Sequence, residues 1–498
     1  MPMLKTNGHC CGIRSRLSVM KILFGMALLL LAVPAPAAFT PDGRVNPDDY
    51  TVLMVVDTKL APGLKPFQAG SHGKFFVDGW SQPAQQAVWE VTVPETDDYA
   101  VNVLLRRRSQ QPLQIEVMLG EQRLRGPVAA AANEWTRQSL EGTLHLPKGP
   151  QTITLRLSSP EGNGEFKAQV MSVELVRPAV RQRLHAAAEK QRADTKWFQD
   201  AGYGFMMHWT AQSHPRTGEQ KPYSQAVKDF NVEAFADQMK QGGAGFVVLT
   251  TSHALQYFPA PIRALDRILP GRTSQRDLVA DLAEALNKRG VRLMLYYHLG
   301  AASDAEWMRA SGFWETDTRK FFGNWQAVIG EIGERYGSKL AGWWFDDGSI
   351  SYYYRSAPWE TLARTARAGF PQRLIGFNPW ELPSPTEFQD LHLGEGFGNP
   401  AGAGRLLQPG GDGRYPSGPH QGLQACATLI TEGDWGHFRK NSEIGKPHWN
   451  AEQLADLMKQ FAARRNVPIF NLEIYQEGTV SPASIELFRQ ARLRRDAR

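Results

Sequence analysis

Leu340-Ala341-Gly342-Trp343-Trp344-Phe345-Asp346-Asp347-Gly348 is an apolar run that stops abruptly at two carboxylates and a glycine. A strand that is apolar on consecutive residues is buried on both faces, as in parallel sheets, so its polar end lies where it leaves the core. Asp346 and Asp347 then stand at the C-terminal mouth of a strand. In a barrel of parallel strands that mouth gathers the reactive groups. Taken alone, the same residues also suit an Asp-Asp-Gly turn capping a core strand.

Outward from this stretch the pattern repeats. Apolar runs at Gly204–Trp209, Gly245–Thr251 and Val291–Leu299 precede it, and runs at Arg373–Asn378, Phe388–Leu393, Leu423–Ile430 and Pro468–Ile474 follow. Amphipathic helices separate most of them. The one after Asn231 sets Val232, Phe235 and Met239 on one face and stops at Gly242-Gly243, with Asn231 placed to cap its start. The next spaces Leu278, Leu282 and Leu286 four apart and stops at Gly290. Strand and helix alternating eight times predict an α/β domain, a (β/α)8 barrel over residues 197–498, with weak helices after the fifth and sixth strands. An open doubly wound sheet would carry a Gly-rich phosphate turn after its first strand, and the sequence has none.

The segment from about Asp49 to Val176 differs. Short alternating runs such as Ala87–Val93, Tyr99–Arg106 and Gln151–Leu157, separated by Gly, Pro, Asn and Asp, predict an all-β sandwich, jelly-roll-like, over residues 39–178. Trp80 and Trp89 fit either a carbohydrate-binding face or a passive packing module. Residues 179–196 read as a linker helix. At the N-terminus, Arg14, Arg16 and Lys21 precede an apolar run from Ile22 to Val33 and the small residues Ala35-Pro36-Ala37-Ala38, the pattern of a signal peptide over 1–38 cleaved near Ala38. The expected location is periplasmic or secreted, with no transmembrane anchor after removal. Losing Lys5, Arg14, Arg16 and Lys21 and no acid brings the net charge from +6 to +2, too little for nucleic acid as a partner. Cys10 and Cys11 leave with the leader, and Cys426 has no partner for a disulfide.

The predicted strand ends carry His208-Trp209, His253, Tyr296-Tyr297-His298, Asp346, Asn378 with Trp380, and Glu395. Imidazoles and carboxylates hydrogen-bond hydroxyls while aromatic rings offer flat apolar faces, and a sugar needs both. A glycan or oligosaccharide is therefore the expected partner, with Asp346 a candidate glycosidase carboxylate. His208, His253, His298 and Asp346 raise metal binding as the competing chemistry, but no HxH or HExxH pair occurs, so neither a metal nor another cofactor is expected.

Together these segments resemble the family 29 glycoside hydrolases, the α-L-fucosidases. "WFQDAGYGFMMHWT", "FNVEAFADQMKQGGAGFVVLTTSH", "RDLVADLAEALNKRGVRLMLYYHL", "LAGWWFDDG", "ACATLITEGDWGHFRKN" and "PIFNLEIYQEGTVSP" are similar to that family's motifs in order and spacing, over about Trp197 to Phe488. The resemblance implies a retaining enzyme with Asp346 as nucleophile. It implies His208 and His253 as sugar ligands, with Trp344 and Tyr297 lining the pocket and Trp209, Asn378 and Trp380 beside them. Glu395, in a "GExxG" context, is the implied acid/base, with Glu432 and Glu387 as fallbacks; Gln424 stands where one subgroup has its acid. Ala254 replaces a family histidine, Pro379 a family arginine, and Thr210 a glycine. These departures leave open two alternatives: a non-catalytic glycan-binding protein and a glycosidase for another sugar.

Overall fold

In the computed structural model the described residues are 43–67, 76–128, 133–160, 166–298, 303–313, 315, 317–346, 357–379, 382–396, 411–417 and 420–497. Residues 1–38, Asp347 and Trp380 lie outside them. Among the described residues no helix is long and apolar enough to cross a membrane.

The barrel closes. Strands Gly204–Met207, Phe246–Thr250, Arg292–His298, Leu340–Asp346, Leu374–Phe377, Leu391–His392, Gln424–Ile430 and Val467–Asn471 pair in parallel in chain order, and the eighth returns to the first. The sixth is the shortest, two residues, yet pairs with both neighbours and so completes the ring. A further two-residue strand, Glu395–Gly396, runs beside the upper part of the seventh. Met206, Val248, Met294, Trp344, Leu374 and Ile469 fill the interior, with Cys426 buried among them. Side-chain alternation sends the other half of each strand into the helix layer. In the fourth strand Trp344 and Asp346 face inward, while Trp343 and Phe345 stack with each other and Phe345 meets Trp325 of helix Thr318–Tyr336.

The helix after Asn231 starts and stops where the sequence says it should, whereas the linker helix expected over 179–196 ends at Gln191. Asn231 Oδ1 accepts from Ala234 N at 3.1 Å to cap Val232–Gly242, and Gly243 ends that helix at φ +80°, a conformation that costs glycine little. Among the described residues no helix separates the fifth, sixth and seventh strands, where the periodicity was weakest.

Ahead of the barrel, antiparallel sheets of seven and five strands pack face to face around Val103, Ile115, Ile153 and Val173. Trp80 and Trp89 are only 1% and 5% exposed, so both are core residues and neither offers a sugar platform. Strand Ala168–Val176 is buried throughout, an odd pattern for a sandwich strand. A bulge between Val170 and Ser172 changes its facing: Ala168 and Val170 reach the core before it, Val173 and Leu175 after it. Gln169, Ser172 and Glu174 are left on the other face, and they too are buried. Helix Pro178–Gln191, with Pro at its first position, then leads to the barrel.

Candidate active site

The third and fourth strands set the base of the site. Their register pairs Tyr296 with Trp344 and His298 with Asp346, so four inward-facing groups meet. Tyr296 and Trp344 stack with ring centroids 5.0 Å apart, and the Tyr296 hydroxyl donates to Asp346 Oδ2 at 2.5 Å. Asn378 follows the fifth strand, fully buried, its own N–H held by the Phe345 carbonyl at 2.8 Å. Its side-chain amide donates to Asp346 Oδ1 at 3.0 Å and also to Glu395 Oε1. Two oxygens bonded to one nitrogen lie no further apart than two hydrogen bonds end to end, roughly 6 Å. Asp346 and Glu395 are thus neighbours in space although 49 residues separate them in sequence.

His208 and His253 complete the cluster. The His208 ring lies 5.3 Å from that of His253, 5.0 Å from Tyr296 and 5.3 Å from Trp435. His298 lies 5.5 Å from His253. Burial, and then the neighbouring His253, push the His208 pKa down to about 3, so the ring is neutral at ordinary pH. Its tautomer follows from Asn471. The Asn471 amide nitrogen donates to the carbonyls of Asp434 and Trp435 at 3.2 and 2.9 Å, so its oxygen is the atom 3.1 Å from His208 Nδ1. An acceptor there requires the proton on Nδ1, and Nε2 is left as an acceptor suited to a hydroxyl.

Other expected residues fall elsewhere. Tyr297 faces the helix layer, fully buried, and among the described residues its hydroxyl has no hydrogen-bond partner; Tyr296 holds the position expected of it. The cause is parity: Tyr296, like Trp344 and Asp346, is an inward residue. Trp209 also turns away from the cluster, its indole N–H donating to the Gln476 carbonyl and its ring packed edge-on against Phe230. Of the two fallback acids, Glu387 is exposed beside His185, and Glu432 is sealed against the last helix, where Ser484 donates to it at 2.5 Å. Gln424 sits at the start of its strand, bonded to Gln199 and the Arg465 carbonyl. Trp435 and Asn471 were missed as site residues, although both lie in quoted motifs; nothing in their spacing indicates that one holds the other. Among the described residues no three His, Cys, Asp or Glu side chains converge as metal ligands would.

Residues 219–376 match the family model for alpha-L-fucosidase. The tissue alpha-L-fucosidase of Bos taurus is 30% identical over 135 residues, 21% of this chain and 29% of that protein. The Homo sapiens protein of the same name is 28% identical over 190 residues, 32% of this chain and 39% of its own. The matches thus span about a third of the length of these relatives. Among solved structures, alpha-L-fucosidase isoenzyme 1 from Paenibacillus thiaminolyticus is 17% identical, with 62% of this chain and 76% of that one covered at a TM-score of 0.44. The matched region contains His253, Tyr296, Trp344 and Asp346, while His208, Asn378 and Glu395 lie outside it. Over residues 219–376, about a third of its length, the chain is similar to the α-L-fucosidases.

Proposed function

We propose that the protein is an exported α-L-fucosidase-like glycoside hydrolase that releases a terminal sugar from glycans by a retaining double displacement. One observation carries the reading: the Asn378 amide is shared by Asp346 and Glu395. Retaining hydrolysis uses two carboxyl groups roughly 5 to 5.5 Å apart, and a shared donor limits the two acids to about that separation. Asp346, fixed on both oxygens by Tyr296 and Asn378, attacks the anomeric carbon. Glu395, half-buried on its short strand, gives a proton to the departing oxygen. A water molecule then loses a proton to Glu395 and displaces Asp346, restoring both groups. Neutral His208 accepts a hydrogen bond from a sugar hydroxyl through Nε2, and Trp435 beside it offers an apolar face. Export is supported by the signal-peptide pattern of residues 1–38.

The test is hydrolysis of an aryl α-L-fucoside, alongside aryl glycosides of other sugars. Asp346→Asn should lower turnover at least about 1,000-fold, and azide should restore it by taking the nucleophile's place. Hydrolysis that survives Asp346→Asn without azide removes Asp346 from the reaction.

A further inference from the structure

A cavity of about 730 Å³ lies between the sandwich, helix Pro178–Gln191 and the barrel, and none of Asp346, Glu395, His208 and Tyr296 lines it. Its size is that of a small-molecule site, on the order of 300 to 1,000 Å³. Its sandwich wall is the buried polar face that the bulge in Ala168–Val176 turns away from the sandwich core. There Arg137 pairs with Glu174 at 3.0 Å, Asn102 donates to Glu174 at 3.3 Å, and Ser139 donates to Asn102 at 2.7 Å. Arg137 also bonds the Ser384 carbonyl of the barrel at 2.8 Å, which ties the wall to its opposite side. The half-buried ring of Tyr50 lies on this same wall, two residues before Val52, the strand partner of Glu174, and the half-buried ring of Trp359 stands on the barrel side.

We propose that this seam is a second, non-catalytic binding site for a neutral oligosaccharide. The charges of the lining balance: Arg137 and Arg181 against Glu174 and Glu387, the last paired with His185. A balanced lining favours neither an anion nor a cation. Fixed donors and acceptors beside the Tyr50 ring on one wall, with the Trp359 ring on the barrel side, match the hydroxyl edge and apolar face of a pyranose. The sandwich has no other aromatic platform of this kind in Trp80 or Trp89, since both are buried in its core.

Gln182, exposed on the helix at the cavity's edge, gives a variant that blocks the seam with little risk to folding. Calorimetric titration of the full chain with neutral oligosaccharides of glucose, galactose, mannose, xylose and N-acetylglucosamine, taken one at a time, tests the proposal. At least one should bind, and Gln182→Trp should weaken it tenfold or more while the unfolding midpoint moves by no more than about 2 °C. Tyr50→Ala, which removes one ring, should weaken the same sugar. Binding that neither variant changes lies elsewhere on the protein and overturns the proposal. The proposal is equally overturned if no sugar binds more tightly than about 10 mM, which makes the seam a solvent-filled joint only.

Discussion

Asp346 and Glu432 are both acids at the ends of barrel strands, both nearly or fully buried, and they do different things. Asp346 ends the fourth strand facing inward, bonded by Tyr296 and by an Asn378 amide that also serves Glu395. Glu432 lies two residues past the seventh strand and turns outward, to Ser484 of the last helix and to the Glu473 backbone N–H at 3.1 Å. Burial chiefly, with the nearby Glu473 charge adding, raises its pKa to about 8. Burial of an acid therefore does not mark a reactive group by itself. What separates the two is the company: a second carboxyl and a ring-lined space in one case, a closed polar contact between strand and helix in the other.

The comparison breaks most sharply if the wrong acid matters. Glu395→Gln should lower turnover of substrates with poor leaving groups roughly 100- to 10,000-fold, as loss of a general acid does. Glu432→Gln should leave turnover within about threefold. Steady-state kinetics of the two variants side by side check this, and the reverse outcome would move the acid/base to Glu432.

A smaller effect is expected at the group that joins the two carboxyls. Asn378→Ala keeps both acids but frees them to separate, and should reduce kcat about 10- to 100-fold with KM little changed. Equal loss in both parameters would make Asn378 a sugar ligand instead of a positioning residue.

The smallest effect concerns stability at the outward-facing acid. Its folded pKa of about 8 stands above the ordinary 4.5, so between these values the folded protein keeps a proton that the unfolded chain has released. Stability from this group falls as pH rises from about 4.5 towards 8 and levels off beyond. Glu432→Gln imitates the protonated acid, its oxygen accepting from Glu473 N–H and its amide donating to Ser484. The variant should unfold close to wild type at pH 5 and a few degrees above it at pH 8.5, measured by thermal denaturation. Parallel pH curves for the two proteins would place the proton elsewhere.

The eight strands, and the pairing of an all-β segment with a barrel, were legible because burial on both faces and strand–helix alternation are written into the order of apolar residues. Asp346, His208, His253, Trp344 and Asn378 could be singled out as the polar or aromatic residues at strand ends. Tyr297 shows the limit of that reasoning. Both tyrosines of "LYYHL" are equally apolar, and only the register against Trp344 and Asp346 turns Tyr296 inward and Tyr297 outward. Parity could have been argued from His298, but not which parity faces the pocket.

The order of apolar and polar residues by itself determined the closed ring and the place of Asp346 at its mouth, because local periodicity dictates which stretches must be buried. Only the tertiary structure decided that Glu395 rather than Glu432 or Glu387 stands next to Asp346, that Trp80 and Trp89 belong to a core, and that Asn471 fixes the His208 tautomer. Those facts depend on contacts between residues far apart in the chain, and no local pattern records a distance across a barrel.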